Sequence, residues 1–239
     1  MAILDVTGIG KHFVMHLRDG IRIPVIANLS FNVKRGECVA LNGPSGAGKS
    51  SVLKMIFGTY AAENGVIHVE HGNDIVDIAS ADPMTMKQIR RNTIGYVSQF
   101  LRVVPRVSAR DLVAEPLIAT GWDSSVATQR AEVLLERLNI PKALWSLPPA
   151  TFSGGEQQRI NIARGFITEH PILLLDEPSA SLDAQNRQVV IDLIRDKKQR
   201  GVGILGIFHD QEVRDAVANR LVDVAALSSK NQQPATAAA

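Results

Sequence analysis

An α/β fold built on a parallel sheet with crossover helices is what this sequence predicts, and three observations predict it. From residue 172 onward, apolar strand, amphipathic helix and apolar strand alternate as Ile172–Asp176, Ala184–Gln199 closed by Gly201, and Ile204–Phe208. Such alternation implies parallel strands joined by helices. Nearer the front, an apolar run leads into Gly43-Pro44-Ser45-Gly46-Ala47-Gly48-Lys49-Ser50, and a helical stretch of about Lys49–Phe57 follows. A glycine turn between strand and helix is the setting in which such a loop has meaning. Between these two regions, residues of about 100–160 turn helical and interrupt the alternation.

In chain order, residues 1–80 read mainly as short strands: Ile3–Val6, Leu29–Val33, Glu37–Leu41, Val66–Glu70 and Ile75–Ala79. Lys34-Arg35-Gly36 and His71-Gly72-Asn73-Asp74 supply turns between several of them, because glycine and asparagine tolerate tight-turn backbone angles. Residues 83–91 predict a helix and Thr93–Gln99 a further strand. From Ser108 to Asn139 the pattern is helical. Ser108 and Ser124 are N-cap candidates, and Val133, Leu134, Arg137 and Leu138 mark one amphipathic face. After Pro148-Pro149 another helix begins at Ser153-Gly154-Gly155. No internal repeat is present, so the chain holds one unit and not a tandem pair.

At 239 residues the chain is long enough to bury a substantial core. It is 45% apolar and 21% charged, the composition of an ordinary soluble protein. A net charge of +2 argues neither for nucleic acid nor for a membrane surface. One cysteine, Cys38, excludes an internal disulfide framework and reads as a small core residue of a cytoplasmic protein. No apolar run approaches the roughly 20 residues that span a bilayer, so direct membrane insertion is not expected. The first residues lack a secretory signal pattern. Residues 228–239 have the composition of a disordered tail.

The chemistry begins at the glycine loop. From Gly43 through Ser51, a P-loop pattern presents backbone N–H groups to phosphates at a helix N-terminus. Lys49 is placed to reach β/γ oxygens, and the Ser50 hydroxyl to ligate Mg²⁺. Asp176 and Glu177 end the apolar strand at the carboxyl edge of the predicted sheet, where ligands bind. Adjacent strand residues point to opposite sides, so the two carboxylates should have different tasks. Ser153-Gly154-Gly155-Glu156 fits a capping box, yet each glycine disfavours helix by about 1 kcal/mol relative to alanine. Two glycines in a first turn make sense where bare N–H groups must approach a phosphate. Asp183 is an N-cap candidate for the following helix. His68-x-x-His71 lacks a third ligand and reads better as strand and turn. Arg90-Arg91 and Arg195–Arg200 read as solvated charges near helix ends.

The P-loop, Ser153-Gly154-Gly155-Glu156-Gln157 and Ile172-Leu173-Leu174-Leu175-Asp176-Glu177-Pro178 together resemble the nucleotide-binding cassette of the ABC ATPases, in which two copies sandwich ATP. The resemblance implies a RecA-like P-loop core with an antiparallel β subdomain and an inserted α-helical subdomain at about 100–160, all within residues 1–227. ATP and Mg²⁺ are then the expected cofactors. By the same resemblance, Asp176 holds Mg²⁺ through water, Glu177 polarises the attacking water, and Ser153–Glu156 close on ATP held by the other subunit. Gln99 matches the glutamine that senses Mg²⁺ and partner, His209 the switch histidine at the γ-phosphate, and Asp183 the loop crossing the dimer interface. Either Phe13 or His12 would stack on adenine. A P-loop kinase or small GTPase lacks Ser153–Gln157, and a translation-type ABC protein would need tandem cassettes.

Finer stretches lie between the motifs: Tyr96–Val107, Leu144–Phe152, Gly206–Asp210, and Pro24-Val25 ahead of the expected strand Leu29–Val33. They resemble the PhnL-type ABC subunits of the bacterial carbon–phosphorus lyase pathway, with Ser179 standing where threonine is commoner and Phe152 where leucine is usual. That resemblance implies a homodimer or ABC heterodimer working on soluble phosphonate-pathway subunits. It would support formation of ribose 1-alkylphosphonate 5-triphosphate from ATP and alkylphosphonate. The alternative is the nucleotide-binding subunit of a membrane transporter, whose permease would meet the region 99–121.

Overall fold

A computed structural model describes residues 2–15 and 21–225. The expected tail at 228–239 lies outside the described residues. Two long strands, β1 (Ala2–Met15) and β2 (Ile21–Lys34), open the chain and pair antiparallel. After β3 (Cys38–Asn42) come the glycine loop and α1 (Lys49–Ile56), then β4 (Asn64–His71) and β5 (Asp74–Asp77). Helix α2 (Pro83–Asn92) and strand β6 (Ile94–Val97) lead to the helical block α3 (Ala109–Ala119), α4 (Ser124–Arg137) and α5 (Gly154–Phe166). The chain then alternates through β7 (Ile172–Asp176), α6 (Ala184–Gln199), β8 (Gly203–Ile207), α7 (Gln211–Val217) and β9 (Arg220–Asp223).

The strands form an antiparallel sheet ordered β2-β1-β4-β5 and a parallel sheet ordered β6-β7-β8-β3-β9. Strand periodicity divides the core between the two faces of the parallel sheet. Cys38 and Ala40, Leu173 and Leu175, and Ile204 pack with α3–α6. Their neighbours Val39 and Leu41, Ile172 and Leu174, and Leu205 and Ile207 pack with α1, α2 and the antiparallel sheet. Both faces are covered, which is why these strands read as continuous apolar runs.

Several expectations are corrected. The short strands Ile3–Val6 and Leu29–Val33 belong to two 14-residue strands, and Pro24-Val25 lies inside β2. Strand β6 stops at Val97, so Gln99 is two residues past its end. Helix α4 is capped by Asp123, whose carboxylate accepts from the amides of Ser125 and Val126; Ser124 is its first residue. The helical block runs to Phe166, beyond the expected 160. Strand β9 and helix α7 were not expected. Of the basic residues expected in solvent, Arg90, Arg91, Arg195 and Arg200 are exposed, Arg90 also donating to the carbonyls of Phe57 and Gly58, whereas Lys197 is buried and donates to the Thr168 carbonyl and the Glu169 carboxylate. Cys38 is fully buried, and burial pushes its thiol up to about 12, as a core residue requires. His71 shares a hydrogen bond with Thr93 at 2.5 Å. Among the described residues no cluster of three histidine, cysteine or acidic side chains forms a metal site.

Candidate active site

Strand β3 delivers the chain into a loop with left-handed backbone at Gly43, Gly46 and Gly48 (φ 139°, 81° and 88°). Gly48 is needed for a second reason. A Cβ there would lie 2.6 Å from Val25 Cγ1 and 3.0 Å from the Val25 carbonyl, because β2 crosses the loop. Gly48 also opens α1 without any side-chain cap, so the first helical N–H groups face outward bare. Lys49 Nζ donates to the carbonyls of Gly43 (2.7 Å) and Pro44 (2.9 Å), while the Ala47 amide closes the turn onto Pro44. Ser45, Gly46, Gly48, Lys49, Ser50 and Ser51 line a cavity of about 420 Å³, together with Val25, Glu177, His209 and Phe13. Phe13 therefore faces this cavity. His12, its neighbour on β1, instead turns its Nδ1 to the Glu63 carboxylate.

The two carboxylates at the carboxyl end of β7 diverge, because Asp176 is the strand's last residue and Glu177 already lies in the turn beyond it. Asp176 is 3% exposed; its Oδ1 accepts from Ser50 Oγ at 3.0 Å and its Oδ2 from the Tyr96 hydroxyl at 3.0 Å. Burial pushes its carboxyl above the ordinary range, against the pull of those two donors. Glu177 adopts φ 54°, left-handed backbone that costs a non-glycine residue about 1–3 kcal/mol. That turn aims its carboxylate the other way. Gln99 Nε2 donates to Oε2 at 3.2 Å, and His209 Nε2 lies 2.8 Å from Oε1. Gln99, Glu177 and His209 thus come together beside the loop, and Ser50 with Asp176 offers hard oxygen donors next to it, which suits Mg²⁺.

Ser153 caps α5 in a complete capping box. The Glu156 amide donates to Ser153 Oγ (3.3 Å) and the Ser153 amide to the Glu156 carboxylate (2.8 Å). The Ser153 hydroxyl, which donates to the same carboxylate at 2.8 Å, and then the Ser153 amide hold the Glu156 carboxyl below its usual range. A Cβ on Gly154 would meet nothing within 4 Å, and one on Gly155 only the Ser181 carbonyl at 3.3 Å. Packing within the chain therefore gives no reason for a glycine at 154. Ser153–Glu156 do not line the cavity over the P-loop; they stand beside the loop 179–183. Asp183 caps α6, accepting from the amide of Asn186 at 2.8 Å.

Three further residues, to which the sequence pattern assigns no role, support the site. Tyr96 reaches Asp176 from the adjacent strand. Gln158 Nε2 donates to the carbonyls of Glu177 and Pro178, and Asn161 Nδ2 to that of Ser98. Helix α5 is thereby fastened to both carboxylate-bearing and glutamine-bearing loops. Gln158 and Asn161 stand three residues apart on one face of α5, which was the one available signal.

The ABC transporter family model matches residues 26–180. The chain is 33% identical over 213 residues to the lipoprotein-releasing system ATP-binding protein LolD of Shewanella oneidensis, covering 88% of this chain and 89% of that one. It is 30% identical to the macrolide export ATP-binding/permease protein MacB of Aggregatibacter actinomycetemcomitans, of which it spans 31% of the length and 85% of its own. The fold is similar to the dimeric, ADP- and Pi-bound ATP-binding cassette MJ0796 (TM-score 0.83, 26% identity, 93% of this chain and 95% of that one).

Proposed function

Because the chain belongs to the ABC transporter family of ATP-binding cassettes, we propose that it binds and hydrolyses ATP between two copies, or between itself and a second ABC chain, and turns that cycle into closing and opening of the dimer. The observation that carries this reading is that two uncapped or glycine-opened helix N-termini suited to phosphate lie apart: α1 on the P-loop cavity, α5 outside it. The dimeric state of MJ0796 supports it.

In this reading the P-loop N–H groups and Lys49 hold the β- and γ-phosphates, and Phe13 packs against adenine. Ser50 and Asp176 would hold Mg²⁺, which neutralises charge developing on the phosphate oxygens. Glu177 orients the attacking water, steadied by Gln99 and His209. Ser153–Glu156 and Asp183 face the partner. Glu177→Gln should retain ATP binding while turnover falls about 10²–10⁴-fold, the usual contribution of a positioned acid–base group. Its ATP-bound dimer should accumulate, read as doubled mass by light scattering. A strictly monomeric variant under saturating Mg·ATP would reject the sandwich.

For the partner, we infer a cytoplasmic role with soluble carbon–phosphorus lyase subunits, supporting formation of ribose 1-alkylphosphonate 5-triphosphate. The stretches 96–107, 144–152 and 206–210 support this through their likeness to PhnL-type subunits. The same region supplies a docking surface, since Phe100 is 75% and Val104 43% exposed. A second reading, the ATPase subunit of a membrane transporter, is favoured by LolD and MacB, which speak for it more directly than for the first. Among the described residues no helix is long and apolar enough to cross a membrane. Capture from soluble and detergent-solubilised host fractions separates the readings. Phosphonate-pathway proteins lost on Arg102→Glu or Arg106→Glu support the first, and a stoichiometric permease establishes the second.

A further inference from the structure

We propose that Tyr96 is a positioning residue that holds the Asp176 carboxylate in the orientation Mg²⁺ needs, a role that rests on the ATPase reading above. Tyr96 lies on β6, opposite Leu174 of β7, so its ring reaches forward along the neighbouring strand to that strand's last residue. Its hydroxyl donates to Asp176 Oδ2 at 3.0 Å while Ser50 donates to Oδ1 at 3.0 Å. One donor on each oxygen fixes the carboxylate plane. The two donors are not equivalent. The Ser50 oxygen is itself a candidate metal donor, whereas the Tyr96 hydroxyl grips the far oxygen and does not compete for the ion.

The anchor is rigid. The ring of Tyr96 packs on Phe57 with centroids 5.0 Å apart, and the Arg90 guanidinium covers the Phe57 ring at 5.1 Å. Arg90 is in turn bonded to the carbonyls of Phe57 and Gly58. Asp176 is only 3% exposed, so water cannot readily replace a lost donor. Loss of a hydrogen bond that orients a metal-holding side chain typically weakens the metal by about 10–100-fold.

The test uses the full chain loaded with ATP. Mn²⁺ binding is followed by electron paramagnetic resonance, beside the Mg²⁺ dependence of hydrolysis and metal-free ATP binding. Tyr96→Phe should weaken Mn²⁺ at least about tenfold and shift half-activation by Mg²⁺ equally. Turnover should recover at saturating Mg²⁺, with ATP binding in chelator nearly unchanged and Tm somewhat lowered by the carboxylate oxygen left without its donor. Tyr96→Leu, lacking the ring as well, should show the same metal defect plus a lower Tm. Wild-type Mn²⁺ affinity in Tyr96→Phe overturns the proposal, as does a metal defect no larger than its loss of metal-free ATP binding. Failure of the unaltered protein to bind Mn²⁺ with ATP would instead overturn the ATPase reading beneath it.

Discussion

Asp176 and Glu177 are neighbours in the chain, yet one faces Ser50 and Tyr96 and the other Gln99 and His209. Strand alternation forecasts their divergence, but the strand ends at Asp176 and the left-handed turn at Glu177 is what produces it. Gly48 carries a comparable constraint. Gly48→Ala would place a methyl against Val25 in backbone that disfavours any side chain. The strain should cost on the order of 1–3 kcal/mol and displace the N–H groups that open α1. Tm should fall and ATP affinity, read by equilibrium binding, should drop at least about tenfold, the equivalent of 1.4 kcal/mol. Gly46→Ala is the control, because a Cβ there meets nothing within 4 Å although φ is again left-handed; it should lose less. Equal losses would mean that β2 crowding is irrelevant. P-loop, carboxylate and capping residues were legible because each is a local pattern with its own backbone consequence. Tyr96 was not, since an aromatic in an apolar strand reads as core until the neighbouring strand shows what its hydroxyl meets.

Elements were legible where one pattern ran uninterrupted. Helix α6 and strand β7 match their expected bounds, fixed by the Asp183 cap and a fully buried apolar run. The sequence predicts only the fragments Ile3–Val6 and Leu29–Val33 of β1 and β2, whose full length includes Gly8, Gly10, Pro24 and Asn28. The ladder instead absorbs them as register shifts, with Gly8 and Asn28 at positive φ. Likewise the β7 end of α5 depends on contacts between distant residues. His170 is held there, Nε2 at 3.0 Å from the Arg91 carbonyl and Nδ1 at 2.6 Å from Thr168 Oγ1. The neutral ring satisfies both, its Nε2–H donating to Arg91 and Nδ1 accepting from Thr168. Burial, chiefly, holds its pKa below the ordinary value of about 6.5. The unfolded chain then takes up the proton first. This contribution to stability is complete above about pH 6.5 and is lost as pH falls through the lower folded pKa. Tm should therefore decline on acidification from that point, and His170→Gln should flatten part of the slope. Parallel Tm–pH curves for the two proteins would refute the assignment.

Across the whole molecule, the α5 N-terminus stands outside the P-loop cavity, while Gln158 and Asn161 of the same helix tie it to the loops that carry Glu177 and Gln99. A site completed by a second copy makes a distinctive demand on mixtures. Lys49→Ala removes a phosphate contact within one copy, whereas Ser153→Arg blocks the face offered to the other. Ser153 is exposed and its capping hydrogen bonds lie at the surface, so the arginine variant should fold; loss of the cap costs about 1 kcal/mol. Each variant alone should hydrolyse ATP at least about 10²-fold more slowly, the scale of losing one preorganised phosphate contact. Mixed, they can form a heterodimer in which one site pairs an intact P-loop from the arginine variant with an intact signature from the alanine variant. The other site carries both lesions. Steady-state hydrolysis in the mixture should rise above the sum of its parts, with an upper bound near one quarter of the unaltered rate if half the dimers are mixed and each has one working site of two. Heterodimers shown to form by mass, but without recovered turnover, would demand either that both sites act together or that Ser153 does not serve the opposite copy. Repeating the mixture with Glu177→Gln in place of Lys49→Ala separates occupancy from turnover at the second site, because that variant retains its own phosphate contacts. Recovery there alone means that the second P-loop must hold ATP but need not hydrolyse it.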